Sequence, residues 1–415
     1  MAESPFKVLS RNPDFRRYFL GMLPVAFGGQ IEAVTIGWQV YHLARETMSI
    51  EESAFMVGMV GLAQFAPLFL LTLFAGTLAD RVSRLTIVFW SLLAEFVGVL
   101  ALVYIALQPA PDLGAIFAVA ALFGAARAFL SPANSALVPM LVTRPDMPQA
   151  MTLSMTVWMS SVIIGPFFGG VLVAHSIASA YAATAVCYAI GLATIFTVKT
   201  STKPERQEGK ALALVREGLV YVWQNKVVLG AISLDLFAVL LGGATALLPA
   251  FATDVLHVGP LGFGLLRAGP AVGGLVMAIY LSYRPIRRSA GVKMFLGVAA
   301  FGLATIAFGL SQSLPLSFAA LVILGAGDMV SVNVRQVLIQ IVTPDHMRGR
   351  VSAVSGLFIS GSNELGEFET GVVSRFVGPV MAAVFGGIGT LIVTGVWAAW
   401  FPALRRADRL DGQDG

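Results

Sequence analysis

The sequence has 415 residues, 57% of them hydrophobic and only 12% charged, with a mean hydropathy of +0.82 and a formal net charge of +4. About a quarter of the residues in a soluble globular chain are charged, so this composition excludes that class. The single cysteine, Cys187, excludes a disulfide framework, and neither it nor His42, His175, His257 and His346 shows the spacing of a metal site.

Residues 1–16 carry charge and proline instead of an apolar core, so no cleaved leader is expected, and Arg11 to Arg17 form a basic lead-in. A membrane-crossing helix needs about 20 apolar residues. On that measure six spans are expected at 18–42, 54–79, 85–107, 113–142, 149–174 and 180–198. A charged stretch follows from Lys199 to Lys226, and within it the run from Ala211 to Trp223 has the pattern of an amphipathic helix suited to a membrane surface. Six more spans are expected at 227–254, 261–283, 292–312, 316–342, 349–374 and 379–401, with a polar tail after them. The expected fold is an all-α integral membrane protein of twelve helices. Its divisions are an N-terminal six-helix bundle (1–198), a linker (199–226), a C-terminal six-helix bundle (227–401) and a tail (402–415).

The basic residues set the orientation. With both termini in the cytoplasm, roughly twenty-two of the 27 Lys and Arg residues fall on the cytoplasmic side, and only Arg45 and Arg375 lie at outer ends. The inverted arrangement would reverse that bias.

The two halves echo each other. Pro67 precedes Arg81 by fourteen residues, and Pro270 precedes Arg284 by the same spacing. Gly165-Pro166-Phe167-Phe168-Gly169-Gly170 aligns with Gly366-Glu367-Phe368-Glu369-Thr370-Gly371 at a shift of 201. Six spans, a linker and six related spans in the same orientation form a parallel repeat.

Three groups of residues carry chemistry. Between spans 2 and 3 lies Gly76-Thr77-Leu78-Ala79-Asp80-Arg81-Val82-Ser83-Arg84, a compact polar turn between two oily segments. Asp80 sits there within reach of a helix N-terminus, where the macrodipole favours a carboxylate. In span 5, Pro166 removes a backbone hydrogen bond, while Gly165, Gly169 and Gly170 let a neighbouring helix approach closely. The third group is the intramembrane charges, which cost several kcal/mol each and point to function. Arg127, Ser131 and Asn134 form one polar stripe on span 4, and Asp328, Ser331 and Arg335 do the same on span 10. Glu32 lies in span 1, Asp235 in span 7, and Glu364, Glu367 and Glu369 crowd the outer half of span 11. Like charges and desolvation oppose ionising all three of the last group together, which makes Glu364 and Glu367 candidate proton carriers, with Asp235 the competitor. Glu32, Arg127, Asn134, Asp328 and Arg335 are the candidate cavity or substrate contacts, although a structural ion pair is the competing role for Arg335. Glu95 in span 3 is a further buried acid whose partner the sequence does not reveal.

The order Gly-x-x-x-Asp-Arg-x-x-Arg in the first cytoplasmic loop resembles the signature of the major facilitator superfamily, and the resemblance covers essentially the whole chain. It implies that Gly76, Asp80, Arg81 and Arg84 latch the cytoplasmic side. Ser83 and Leu85 depart from the family pattern, and the second-half counterpart, Tyr283 to Arg288, has no acid. The span 5 motif Gly165-Pro166-x-x-Gly169-Gly170 resembles the one associated with antiporting exporters, with Ser161 in place of an upstream glycine. Together with Asn12 to Phe19 and Thr343 to Val351, these motifs are similar to the drug-exporter branch that includes enterobactin exporters and macrolide efflux proteins.

That resemblance implies proton-coupled export of a small amphipathic solute across the bacterial inner membrane by a monomer working through alternating access. The proton gradient supplies the energy, and no cofactor or metal is implied. The expected partners are a small-molecule substrate and membrane lipid, not nucleic acid. An uncoupled facilitator or importer of the same fold, or a non-transporting membrane sensor, are the alternatives. No nucleophile–base pair or phosphate-cradling loop suggests an enzyme.

Overall fold

In hydrocarbon every backbone polar group must be satisfied inside its own segment, so apolar runs of this length become helices. The computed structural model describes residues 7–79, 81–200, 202 and 211–407. The first six spans are Pro13–Arg45, Ile50–Ala79, Arg84–Ala106, Leu113–Leu141, Met147–His175 and Ile177–Ile195. The linker helix is Ala211–Gln224. Span 7 begins as Lys226–Gly242, and spans 8, 9 and 10 are Gly259–Tyr283, Ala290–Leu310 and Leu314–Val342. Spans 11 and 12 form one run, Asp345–Trp400, broken where Gly378 adopts φ 82° just before Pro379. A positive φ suits glycine, and proline is at home in the first turn of the helix that follows. Eleven described helices are long and apolar enough to cross a membrane, and the break at Gly378 makes them twelve spans.

Span 7 is not a simple rod. Its α-helix stops at Gly242, Gly243 is extended, and the chain resumes through a short 3-10 turn and a π turn, Phe251–Val255. The carbonyl freed at Gly243 accepts a 2.8 Å hydrogen bond from the Thr370 hydroxyl of span 11. Irregular backbone at this depth needs such a partner within the protein.

The chain divides into two compact units, Met1–Leu43 with Ala63–Glu208 and Ala44–Leu62 with Gly209–Gly415. The first part of span 2, up to Leu62, therefore packs with the second unit. A Cβ on Gly58 would lie 2.8 Å from the Glu367 carbonyl and 2.9 Å from the Gly371 Cα, so the two backbones touch there with no side chain between them.

Polar groups at one end of the spans fasten the first unit. Asp14 accepts hydrogen bonds from Arg17 at 2.6 Å, the Thr200 hydroxyl at 2.6 Å and the Lys199 amide at 3.2 Å. Asp146, between spans 4 and 5, accepts from Asn12 at 2.8 Å. Thr202 caps the start of span 3, taking the Leu85 amide at 3.1 Å and pairing with the Ser83 hydroxyl at 2.8 Å. In the second unit the linker helix docks against spans 7, 10 and 11. Val222 is buried in a cluster with Val228, Ile232, Ile339, Val351 and Val354. Tyr221 donates to the Val342 carbonyl at 2.9 Å, and Glu217 pairs with Arg350. Its opposite face, with Leu219, Val220 and Trp223, is exposed. The surface helix expected from the sequence thus has one face committed to protein.

The spans keep large apolar side chains exposed, among them Phe74, Trp90, Leu296 and Leu303. Large apolar side chains exposed along spans of this length belong in lipid.

Candidate functional site

The densest charged centre lies within the first unit, where mid-span residues of five helices converge. Arg127 of span 4 donates to Gln64 Oε1 of span 2 at 2.8 Å and to Glu32 Oε1 of span 1 at 3.1 Å. Its Nε lies 4.0 Å from Glu95 Oε1 of span 3. Tyr188 of span 6 donates to the other Glu32 oxygen at 2.8 Å. Glu32 is fully buried and Glu95 nearly so, whereas the Arg127 side chain is 31% exposed. The centre therefore holds two carboxylates around one guanidinium, sealed on the acid side and open on the cation side. With both acids ionised, these three groups together carry one negative charge in excess.

Small residues make this convergence possible. A Cβ on Gly124, three residues before Arg127, would fall 2.0 Å from the Gln64 carbonyl oxygen. The backbone of span 4 therefore lies directly against span 2 where Gln64 meets Arg127. Gly165 and Gly169 of span 5 do the same for span 1, with hypothetical Cβ atoms 2.5 Å from Gln30 and 3.1 Å from Val34. Glu32 lies between those two contacts. We expect Gly124→Ala to force spans 2 and 4 apart, since the obstacle is backbone and cannot rotate away. Overpacking of this kind costs about 1–3 kcal/mol. A lower unfolding temperature together with efflux reduced by at least about tenfold should follow. Wild-type behaviour on both measures would show that the crossing is slack.

The second unit holds a separate charged centre. Asp235 of span 7 and Arg335 of span 10 form a direct ion pair, with side chains 6% and 2% exposed. Asp328, half-buried, lines a small cavity with Asp235 and Ser331. Ser331 Oγ and Arg335 Nε have no hydrogen-bond partner among the described residues. The two stripes expected on spans 4 and 10 thus take different partners. On span 4, Asn134 accepts from Tyr18, and Ser131 is exposed.

The remaining residues sit apart from these centres. Glu364 and Glu367 flank the first half of span 2, where a Cβ on Gly61 would lie 2.9 Å from the Glu364 carbonyl and 3.1 Å from the Glu367 Cβ. Gly165, Pro166, Gly169 and Gly170 are all buried. In the loop between spans 2 and 3, Asp80 lies outside the described residues. A Cβ on Gly76 would meet nothing within 4 Å, Arg81 is exposed, and Arg84 reaches Met140 Sδ at 3.5 Å. Sequence reasoning singled out Glu32 and Arg127 but not their contact, and it missed Gln64 and Tyr188 altogether. Glu95, left without a partner by the sequence, finds one in Arg127.

Twelve spans with paired charges buried among them make this a multi-pass membrane protein. Residues 3–413 match the family described as transmembrane secretion effector, a branch of the major facilitator superfamily. The chain belongs to that family. It is 27% identical over 403 residues to the enterobactin exporter EntS of Citrobacter koseri, covering 93% of this chain and 91% of that one. To the multidrug efflux pump Tap of Mycobacterium tuberculosis it is 28% identical over 430 residues, covering 96% of each. Among solved structures it superposes on a POT family transporter in complex with a thioalcohol-conjugated peptide, with a TM-score of 0.71, 13% identity and coverage of 94% and 96%. A bacterial homologue of the iron transporter ferroportin gives a TM-score of 0.68 at 16% identity, covering 93% and 99%. At those identities the structural likeness speaks for the fold alone.

Proposed function

We propose that the protein exports a small amphipathic organic solute, drug-like or siderophore-like, across the bacterial inner membrane by proton antiport. The bias of Lys and Arg toward one side supports placing both termini in the cytoplasm. The exporter names of its relatives support the direction.

The observation that carries the coupling is the ratio of two carboxylates, Glu32 and Glu95, to one guanidinium, Arg127. A proton on one acid leaves Arg127 balanced by the other. Loss of that proton leaves a net negative charge at mid-depth, which is costly in low dielectric and favours reloading or a change of conformation. Arg127, open on one side, is the group that solute and proton both influence. Glu32 and Glu95 take precedence as carriers over Asp235, which is held by Arg335, and over Glu364 and Glu367, which lie at the outer crossing with span 2.

In the same reading the halves 1–198 and 227–401 alternate access to a site at mid-depth, as a monomer, with Gly76, Asp80, Arg81 and Arg84 closing the cytoplasmic side. Asn134 and Asp328 contribute polar lining, while Arg335, sealed against Asp235, ties spans 7 and 10 together. Gly165, Pro166, Gly169 and Gly170 hold span 5 against the Glu32 segment.

The test uses proteoliposomes loaded with a pH-sensitive dye and offered a catecholate siderophore, a macrolide and a cationic dye in turn. A transported solute should drive a proton flux in the opposite direction, and Glu32→Gln should abolish that flux. Transport with no proton movement would remove antiport and leave an uncoupled facilitator.

A further inference from the structure

The stretch from Arg284 to Lys293, which joins spans 8 and 9, contains four cations and no acid. All four, Arg284, Arg287, Arg288 and Lys293, are exposed. Beside this loop, within the second unit, a groove of about 410 Å³ runs between spans 8, 9 and 10. Its walls come from residues 277–284, 293–300 and 323–330, so it covers about 10 Å along each helix, from the charged loop on spans 8 and 9 and across the middle of span 10.

The reason for the groove is a shortage of side chain. Spans 9 and 10 cross at Gly297 and Gly327, where a Cβ on either glycine would fall within 2.8 Å of the other's carbonyl oxygen. Ala300 and Ala326 continue that floor, and nothing long enough to fill the trough projects from it. Its rim is apolar and faces outward, with Leu296, Tyr280 and Ile323 exposed by 63%, 58% and 56%. The cations lining it are Arg284 and Lys293, both at the loop end. No carboxylate pairs with either of them among the described residues.

A trough that is apolar along its length, cationic at one end and open toward the surrounding hydrocarbon complements an amphiphile with a long tail and an anionic head. Basic pockets between spans at a membrane interface bind anionic headgroups in this way. We propose that this groove binds one anionic phospholipid, its phosphate between Arg284 and Lys293 and an acyl chain along the Gly297–Gly327 floor. In the orientation proposed above, the lipid comes from the inner leaflet. The outward-facing rim favours a membrane lipid over the transported solute as occupant. The assignment is independent of proton coupling, because none of its residues belongs to either charged centre.

The full-length protein in detergent, titrated with phosphatidylglycerol and separately with phosphatidylcholine of the same acyl chains, provides the test by native mass spectrometry. One phosphatidylglycerol should be retained in preference to phosphatidylcholine. The double change Arg284→Ala with Lys293→Ala should weaken that binding about thirty-fold, the effect of two interfacial cations. Arg287→Ala with Arg288→Ala, which removes equal charge outside the groove, should leave it intact. Ala300→Phe, which fills the trough without changing charge, should also displace the lipid, and it decides the matter alone where the double variant fails to fold. An unchanged preference in the Arg284/Lys293 variant overturns the proposal. So does an equal loss in the Arg287/Arg288 variant, which would mean diffuse attraction. Competition by glycerol phosphate as strong as the lipid's own binding would show that the trough takes no part, and displacement by a transported solute would place the groove on the transport route.

Discussion

Arg127→Met is expected to abolish solute efflux and to destabilise the protein at once. The change removes the cation and leaves two buried acids, Glu32 on the Tyr188 hydroxyl and Glu95 beside it, without the guanidinium they share. Breaking one side of a buried ion pair costs about 3–5 kcal/mol, because the charge left behind has no water to return to. Adding Glu32→Gln and Glu95→Gln removes both acids that Arg127 faces, so the triple variant should regain most of the lost stability while efflux stays absent. Arg127→Lys should behave differently again. It keeps the charge, but one ammonium cannot reproduce a planar fork that donates to Gln64 and Glu32 together while facing Glu95. Efflux from cells and thermal unfolding in detergent, measured on all three, separate these outcomes. If Arg127→Met still exports at the wild-type rate, the charged centre is scaffolding and the coupling mechanism is wrong.

The second large effect is expected at Asp235 and Arg335. Each single change, Asp235→Asn or Arg335→Met, disrupts a pair that is almost completely sealed from solvent. A loss of about 3–5 kcal/mol is expected for Arg335→Met, because two acids, Asp235 and Asp328, then share a site with no cation. Asp235→Asn should cost less, since the amide can still accept from the guanidinium and Asp328 remains nearby to balance it. The double change Asp235→Leu with Arg335→Met should cost less than Arg335→Met alone, since well-packed apolar residues often replace a buried pair without penalty. Unfolding midpoints of the three variants give the coupling between the residues directly. Strictly additive costs would mean that the pair does not act as a unit.

How much of this was legible in the sequence depends on whether the information is local. The spans were, because hydropathy is a property of a continuous run, and even the division between spans 11 and 12 was expected where Gly378 breaks the helix. Helix ends were placed less well. Span 1 begins at Pro13, five residues before its apolar run, because Asp14 is held by Thr200 and Lys199 from beyond span 6. The charged centres were legible only as a list of costly residues. Arg127 lies 95 positions from Glu32, and Arg335 lies 100 from Asp235. No spacing rule links residues on different helices. Gln64 carried no signal, since a neutral amide in a span is unremarkable until a guanidinium faces it. Asp235 looked like an isolated acid and Arg335 like a residue near a helix end, and only the crossing of spans 7 and 10 joins them.

The ratio of acids to base around Arg127 has an electrical corollary. If each turnover brings one proton inward and sends a neutral solute outward, one elementary charge crosses the bilayer per cycle. The resting voltage then contributes about 2.3 kcal/mol per 100 mV to the work of pumping. A monovalent cationic solute would cancel that displacement and leave the pH difference as the sole drive, while an anionic one would double it. Clamping the voltage of a vesicle with a potassium ionophore should therefore change the rate for some solutes and not for others, and the pattern would give the valence of the cargo before its identity is known.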